Sequence, residues 1–263
     1  MTQHERRTWD AETYRRIAAP QARWGSAILA GIELRGDETV IDAGCGAGNL
    51  TRLIAEAVPR GRVIALDVSP AMLEVARREL ADLAPRVEVL QADLGALDLD
   101  QEADLVFSGA TFHWVLDQDA LYANLFRALE PGGRLHAQCG GSGNLARISA
   151  SAEALVRERW PAAVEGWSYP AYFPGVDETR TRLEKVGFEE IDVGLSQEPT
   201  TFDGGEAFRE FIETVILTPL LARLPSDEAR REALDTLTAE AARGSAPYTL
   251  DYVRLNVRAA RPG

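Results

Sequence analysis

The stretch Val40-Ile41-Asp42-Ala43-Gly44-Cys45-Gly46-Ala47-Gly48-Asn49 constrains the fold of this 263-residue chain more than any other. A β-branched run, Thr39–Ala43, stops at glycines spaced G-x-G-x-G, and Leu50, Leu53, Ile54 and Ala57 then recur at helical spacing. A strand that turns this tightly into a helix lets a ligand approach the backbone with no Cβ in the way. A turn that grips a pyrophosphate prefers G-x-G-x-x-G. Here the third glycine comes one residue early. Asp42, inside the strand, would repel a pyrophosphate and attract an ammonium or sulfonium group, directly or through water. Read alone, such a turn also serves as a plain strand-to-helix connection.

The rhythm around it sets the fold class. Strands are expected at Arg62–Leu66, Val87–Gln91, Asp104–Ser108 and Arg134–Gln138, alternating with helices at Pro70–Leu83 and Asp119–Leu129. Ser69 caps the first of these helices with Pro70 at its first position, and Glu130-Pro131-Gly132-Gly133 stops the second. Such alternation implies an α/β fold with a doubly wound, Rossmann-like, mostly parallel sheet. After Gly143 the pattern changes to helices at Leu145–Arg159, Asp177–Val186, Ala207–Leu224 and Asp227–Ala242. Strands are expected at Glu190–Gln197 and Tyr248–Ala259. The expectation is one domain, 1–263, with a cofactor-binding core at 36–140 and a helical lid in the C-terminal third, built from 144–175 and 204–243.

Three acids fall at successive strand tips. Asp42 precedes the turn. Asp67 ends the second strand in Asp67-Val68-Ser69-Pro70-Ala71-Met72, placed to hold two ribose hydroxyls. Asp93, in Ala92-Asp93-Leu94 after the third strand, can accept from an exocyclic amine. The alternative for Asp67 is a helix-capping acid, a role Ser69 fills. Met72 suits an adenine face or plain core. Together these residues describe a nucleoside site that welcomes positive charge at its far end.

Composition narrows the partners. The formal net charge is −13, which argues against nucleic acid or an anionic membrane as partner. No apolar run is long enough for a membrane span, and with no hydrophobic stretch behind Met1–Arg7 a secretory signal is not expected. Two cysteines, Cys45 and Cys139, fit a reducing cytoplasm and no disulfide scaffold. Three dispersed histidines make no zinc site. A cytoplasmic protein, monomer or homodimer, with a small-molecule partner is expected.

These motifs resemble the class I S-adenosylmethionine-dependent methyltransferases over residues 36–140. Asp42–Gly48 is similar to their first motif, Asp67 to their ribose-binding acid, and Ala92-Asp93-Leu94 to their adenine-binding segment. Leu129–Gly133 is similar to the turn before their fifth strand. The resemblance implies a seven-stranded sheet with an antiparallel seventh strand at Tyr248–Ala259, and S-adenosylmethionine as cofactor. It implies that Asp42, Gly44, Cys45, Gly46, Asn49, Asp67, Val68, Met72, Ala92, Asp93 and Leu94 line that cofactor, with Ser108, Gly109 and Ala110 at its methionine end. A narrower resemblance, to the small-molecule branch containing trans-aconitate and juvenile hormone acid methyltransferases, rests on three segments. These are Trp9–Tyr14, Pro20-Gln21 and Phe112-His113-Trp114-Val115. It implies that Gln21 and Trp114 hold an acceptor carboxylate, the alternatives being a solvated helix position for Gln21 and core packing under the lid for Trp114. Tyr14 is a candidate to close over the sulfonium, with a packing role as its alternative.

His113 is the candidate general base, needed by a phenol but not by a carboxylate already ionised at pH 7. Its alternative is a structural or edge-lining role. Trp160, Trp167, Tyr169, Tyr172 and Phe173, with Phe208, Phe211, Ile212, Val215 and Ile216, read either as an apolar acceptor wall or as the lid's own core. The function expected is methylation of a small molecule at a carboxylate oxygen. The alternatives are a phenol, amine or carbon acceptor, or cofactor binding without transfer.

Overall fold

The computed structural model describes residues 19–99 and 103–263, with side chains from Arg23 onward in the first helix. Among the described residues nine strands follow in chain order: β1 Thr39–Ala43, β2 Arg62–Asp67, β3 Val87–Gln91, β4 Ala103–Gly109 and β5 Leu129–Gly140. Then come β6 Glu189–Gln197, β7 Thr200–Thr201, β8 Thr249–Leu250 and β9 Val253–Ala260. Seven form one sheet in the order β3-β2-β1-β4-β5-β9-β6. Strands β1 to β5 pair in parallel, and β9 runs antiparallel to β5 with Gln138 opposite Asn256 and Gly140 opposite Arg254.

Four consecutive residues of β1 are buried because helices cover both faces of a parallel sheet. Alternate residues feed two cores. Ile41, Ile64, Val106, Leu135 and Val257 pack with Leu121 and Leu125 of the helix Gln118–Ala128. Val40, Val63, Leu105 and Phe107 pack on the opposite side with Leu29, Ile54 and Leu80. Strand order reverses between β1 and β4, and ligands of such sheets bind outside the carboxyl ends of the strands at that reversal.

The chain divides into two compact units. The first holds the seven-stranded sheet and includes residues 172–196; the second comprises 143–171 and 197–253. Within the second unit, helices Ala146–Arg159 and Asp227–Arg243 accompany a two-stranded ribbon in which Thr200 pairs with Leu250 and Thr201 with Thr249. The closing strand expected from Tyr248 therefore splits. Thr249–Leu250 joins the ribbon, and the sheet strand begins at Val253. The helix expected over Ala207–Leu224 also breaks, into Gly205–Phe211, a π-helical turn Ile212–Ile216 and Thr218–Leu221 with Pro219 at its start. Proline cannot donate into the preceding turn, so the hydrogen-bond ladder must shift there. Pro70–Leu83 ends early for a local reason: the α-helix stops at Glu79 and a 3-10 turn, Ala81–Leu83, follows.

Candidate functional site

The turn after β1 bonds inward. Gly44 N and Cys45 N both donate to Leu66 O at 2.8 Å, and Gly48 N donates to Cys45 O at 3.0 Å. Gly46 N donates to Asp67 Oδ2 at 2.9 Å. Four N–H groups that a phosphate-binding turn would aim outward are thus held within the fold. Gly44 has φ +93°, and a Cβ there would overlap the Thr111 side chain. A Cβ on Gly46 would meet nothing within 4 Å, which leaves open space over the turn.

Asp67 is the hub beside that space. Its Oδ1 accepts from Ser69 N at 2.8 Å while Oδ2 holds Gly46, and burial pushes its pKa up against the pull of those N–H groups. A carboxylate has about four lone-pair sites, so two remain for hydroxyl donors. Val68 follows as an apolar side chain, 36% exposed. Asp93 caps the turn Leu94–Ala96 through Oδ1, accepting from Gly95 N at 2.9 Å. Ala92 N donates to Asp67 O at 3.0 Å, which holds the two acidic tips side by side. A diol, an amine and an apolar ring would each find a partner here, so the residues fit an adenosine.

Other expected contacts fall elsewhere. Asp42 is 1% exposed, and its Oδ2 accepts from Thr51 Oγ1 at 2.7 Å. Burial pushes its pKa up to about 7, with the Thr51 hydroxyl pulling down and the Asp67 charge adding to the rise. So buried a carboxylate could influence a ligand only through its field, not by direct contact. Met72 packs with Ala47 and Val75 instead of offering a face. Leu94 is buried, and its carbonyl accepts from Asn124 Nδ2 at 3.0 Å. Cys45 is a buried free thiol, raised by burial, and Asn49 is exposed at the start of the helix Asn49–Ala57. Ser108 is fully buried and donates to Ala43 O at 2.6 Å, so it ties β4 to β1 and does not line a ligand. Gly109 lies under Leu50, where a Cβ would come within 2.8 Å of Leu50 Cδ1. Tyr14 lies outside the described residues. Gln21 lies in the helix Ala19–Ala30, its side chain outside them.

The turn after β4 is built from distant parts of the chain. Ala110 has φ +62°, and its N–H donates to Gln138 O at 2.7 Å. Thr111 Oγ1 reaches Gly44 O at 3.3 Å, which joins this turn to the one after β1. Phe112–Trp114 forms a 3-10 turn clamped by Gln118, whose Nε2 donates to Phe112 O at 2.8 Å and Val115 O at 2.6 Å. Gly140 N donates to His113 Nδ1 at 3.3 Å. The imidazole lies 4.7 Å from the Trp114 ring and stacks on Phe173 at 5.6 Å. Tyr172 N donates to His113 O at 2.8 Å, and Ser142 N to Pro174 O at 2.9 Å.

Two readings need correction here. A base must offer a lone pair, and His113 Nδ1 already gives its own to Gly140, so the neutral ring carries its proton on Nε2. His113 is not placed to act as a general base. The apolar wall also divides. Phe208, Phe211, Ile212 and Ile216 are buried in the second unit's own core, with Phe202 against Phe211 at 4.8 Å. Tyr172 and Phe173 belong with His113 in the first unit. The roles of Gly140 and Phe173 left no local signal in the sequence. Thr51, nine residues after Asp42 in the first turn of a helix, could have been found from helical spacing.

Among the described residues no group of three or more His, Cys, Asp or Glu could hold a metal ion, and no helix is long and apolar enough to cross a membrane. A family model described as a methyltransferase domain matches residues 40–133. The chain is 30% identical to a trans-aconitate 2-methyltransferase of Variovorax paradoxus over 229 residues, 83% of each chain. It is 40% identical to the Azoarcus enzyme of that name over 131 residues, and there the match spans 50% of each chain. The chain spans about half the length of several other curated relatives it matches. A solved phosphoethanolamine N-methyltransferase 2 of Haemonchus contortus, complexed with phosphomonomethylethanolamine and S-adenosylhomocysteine, aligns with TM-score 0.65 and 22% identity. That alignment covers 98% of this chain and 60% of that one. With the strand order 3-2-1-4-5-9-6 and an identity sustained across four-fifths of a full relative, the chain belongs to the S-adenosylmethionine-dependent methyltransferases.

Proposed function

We propose that this chain moves a methyl group from S-adenosylmethionine to a carboxylate oxygen of a small organic acid. The inward-bonded glycine turn carries the reading. It offers no donors to a pyrophosphate, while Asp67 keeps lone pairs beside an open space. Asp67 takes the ribose hydroxyls, Asp93 the adenine amine and Val68 one face of the base. Gly46 lets the ligand lie against the backbone, and the buried Asp42 favours positive charge nearby. Trp114 and Gln21 are the proposed donors to the acceptor's carboxylate, and Tyr14 the proposed cover over the sulfonium.

Bound S-adenosylmethionine supplies a methyl whose S–C bond breaks, its electron pair returning to sulfur, as an oxygen lone pair forms the new O–C bond. An ionised carboxylate has no proton to lose, which suits a site whose histidine is not a base. The protein's work is then alignment and exclusion of water. Relatives named for trans-aconitate make short polycarboxylic acids the first acceptors to try.

Calorimetric titration with S-adenosylmethionine, S-adenosylhomocysteine and NADH tests the first half. Both sulfur nucleosides should bind, and NADH should not. Release of S-adenosylhomocysteine with trans-aconitate, then other carboxylic acids, then phenols and amines tests the second. Turnover confined to phenols or amines would overturn the carboxylate assignment, and binding without turnover on any acceptor would leave a cofactor-binding protein.

A further inference from the structure

We propose that Thr111 is a positioning residue for methyl transfer: it pins the turn after β4 to the first glycine of the turn after β1 and so sets the spacing of acceptor and donor. This inference rests on the reading above, which puts the cofactor at the first turn and the acceptor at the second.

Strands β1 and β4 pair in parallel at Val40–Leu105, Ile41–Val106 and Asp42–Phe107, and the register ends there. Past that point the chain leaves β1 for the helix Asn49–Ala57 and β4 for the 3-10 turn Phe112–Trp114. Ile54 of that helix packs in the core on one face of the sheet, and Phe112 in the core on the other. The two connections thus part to opposite faces at the reversal of strand order, the place where sheets of this kind open a ligand crevice.

Two hydroxyls continue the ladder beyond its last backbone pair. Ser108 Oγ donates to Ala43 O at 2.6 Å, and Thr111 Oγ1 donates to the next carbonyl, Gly44 O, at 3.3 Å. The Thr111 proton is shared with Gly109 O at 3.4 Å, so one hydroxyl spans the tips of both strands. Sterics fix the contact more firmly than this long, shared bond does. A Cβ on Gly44 would fall 2.1 Å from Thr111 Oγ1 and 2.3 Å from its Cγ2, so the threonine lies flat on a residue that admits no side chain. The missing side chain of Gly44 therefore makes room for Thr111, whereas that of Gly46 leaves open space. A β-branched residue is stiff at χ1, which keeps hydroxyl and methyl together against the glycine. The rest of the turn is tied to it, because Trp114 N donates to Thr111 O at 2.9 Å and Ala110 N to Gln138 O at 2.7 Å. In-line displacement depends on where the two reacting atoms sit, and a misplacement of about 1 Å can cost about 100-fold in rate. A contact that sets their spacing acts on kcat more than on binding.

Two variants separate the hydroxyl from the shape. Thr111→Val keeps the branched shape and removes the donor, and Thr111→Ser keeps the donor and removes the methyl. Hydrogen exchange read by mass spectrometry, with saturating S-adenosylhomocysteine, needs no acceptor. In the parent the ligand should slow exchange at residues 44–49 and, by about fivefold, at 110–115. In Thr111→Val the slowing should persist at 44–49 and vanish at 110–115, while Thr111→Ser retains most of it. Coupling is reciprocal, so the affinity of Thr111→Val for S-adenosylhomocysteine should fall by no more than about fivefold. With the carboxylic acid that the parent methylates, Thr111→Val should lose about 30-fold in kcat, with KM for S-adenosylmethionine within about fivefold, and Thr111→Ser should stay within about fivefold of the parent in both. No slowing at 110–115 in the parent, or equal slowing in the parent and Thr111→Val, overturns the proposal. So does a loss of kcat that Thr111→Ser shares in full. If S-adenosylhomocysteine does not bind the parent, the cofactor reading fails and takes the proposal with it. If no carboxylic acid is methylated, the acceptor assignment alone fails, and the exchange pattern still decides whether Thr111 joins the two turns.

Discussion

The turns after β1 and β4 meet at Thr111 and Gly44, yet they are made in opposite ways. The first is local. Its partners are Thr51, Leu66, Asp67 and Ser69, one helix and one strand further along the chain. The second is assembled from afar. His113 is held by Gly140 and by Tyr172 and Phe173, roughly 30 and 60 residues away in sequence. A turn made of neighbours must keep the residue types its own geometry needs. A turn held by distant partners can change its side chains while the sheet stays intact, which would suit the proposed acceptor side.

The largest expected effect would break the donor side alone. Asp67→Ala removes the proposed acceptor of two ribose hydroxyls and should weaken S-adenosylmethionine binding at least 100-fold, about 3 kcal/mol. Calorimetry showing unchanged affinity would refute its role. Gln118→Ala tests the other side. It strips the donor from two buried carbonyls and should cost about 2–3 kcal/mol of stability in denaturant unfolding. Cofactor affinity should hold while acceptor KM rises, and a matching loss of cofactor affinity would show that the turns are one unit.

A subtler effect concerns pH. Asp42, at about 7 in the fold against an ordinary carboxylate value near 4, binds a proton that the unfolded chain releases. Its contribution to stability is therefore full below about pH 4, falls as pH rises to about 7, and stays level above. Asp42→Asn removes that slope and should gain about 3 kcal/mol relative to the parent between pH 4.5 and 7.5. Thermal melts that run parallel across this range would contradict the assignment. The smallest effect is Gly46→Ala. Open space receives the methyl, so the cost to folding is only the φ of +53°, about 1 kcal/mol. Its cofactor affinity should drop by more than its stability, because the ligand's path, not the fold, is filled.

The same contrast explains what the residue pattern revealed. Val40–Asn49, Asp67 and Asp93 announce themselves because strand, turn and cap chemistry are written within a few residues. The parallel, doubly wound class followed from the alternation of strands and helices, while the seven strands and the antiparallel strand came from the family resemblance; Val253–Ala260 runs antiparallel to β5 near the expected place. His113 was visible as a residue but not as a tautomer, since nothing near it in sequence names Gly140 as its partner. Met72 and Ser108 were given ligand roles because a motif position does not reveal which way a side chain turns. The π-helical turn Ile212–Ile216 was hidden by apolar spacing that a regular helix would satisfy as well.

ATP and NAD both carry an adenosine with a free ribose diol, so a ribose-binding acid and an amine acceptor cannot tell them from S-adenosylmethionine. The backbone of the glycine turn can. Because Gly44, Cys45, Gly46 and Gly48 direct their amide protons into the fold, a phosphate arriving there would shed its water and find no replacement donors. Selectivity against the phosphorylated nucleotides would then come from what the turn withholds. Neither inorganic phosphate nor pyrophosphate would displace the cofactor from such a surface.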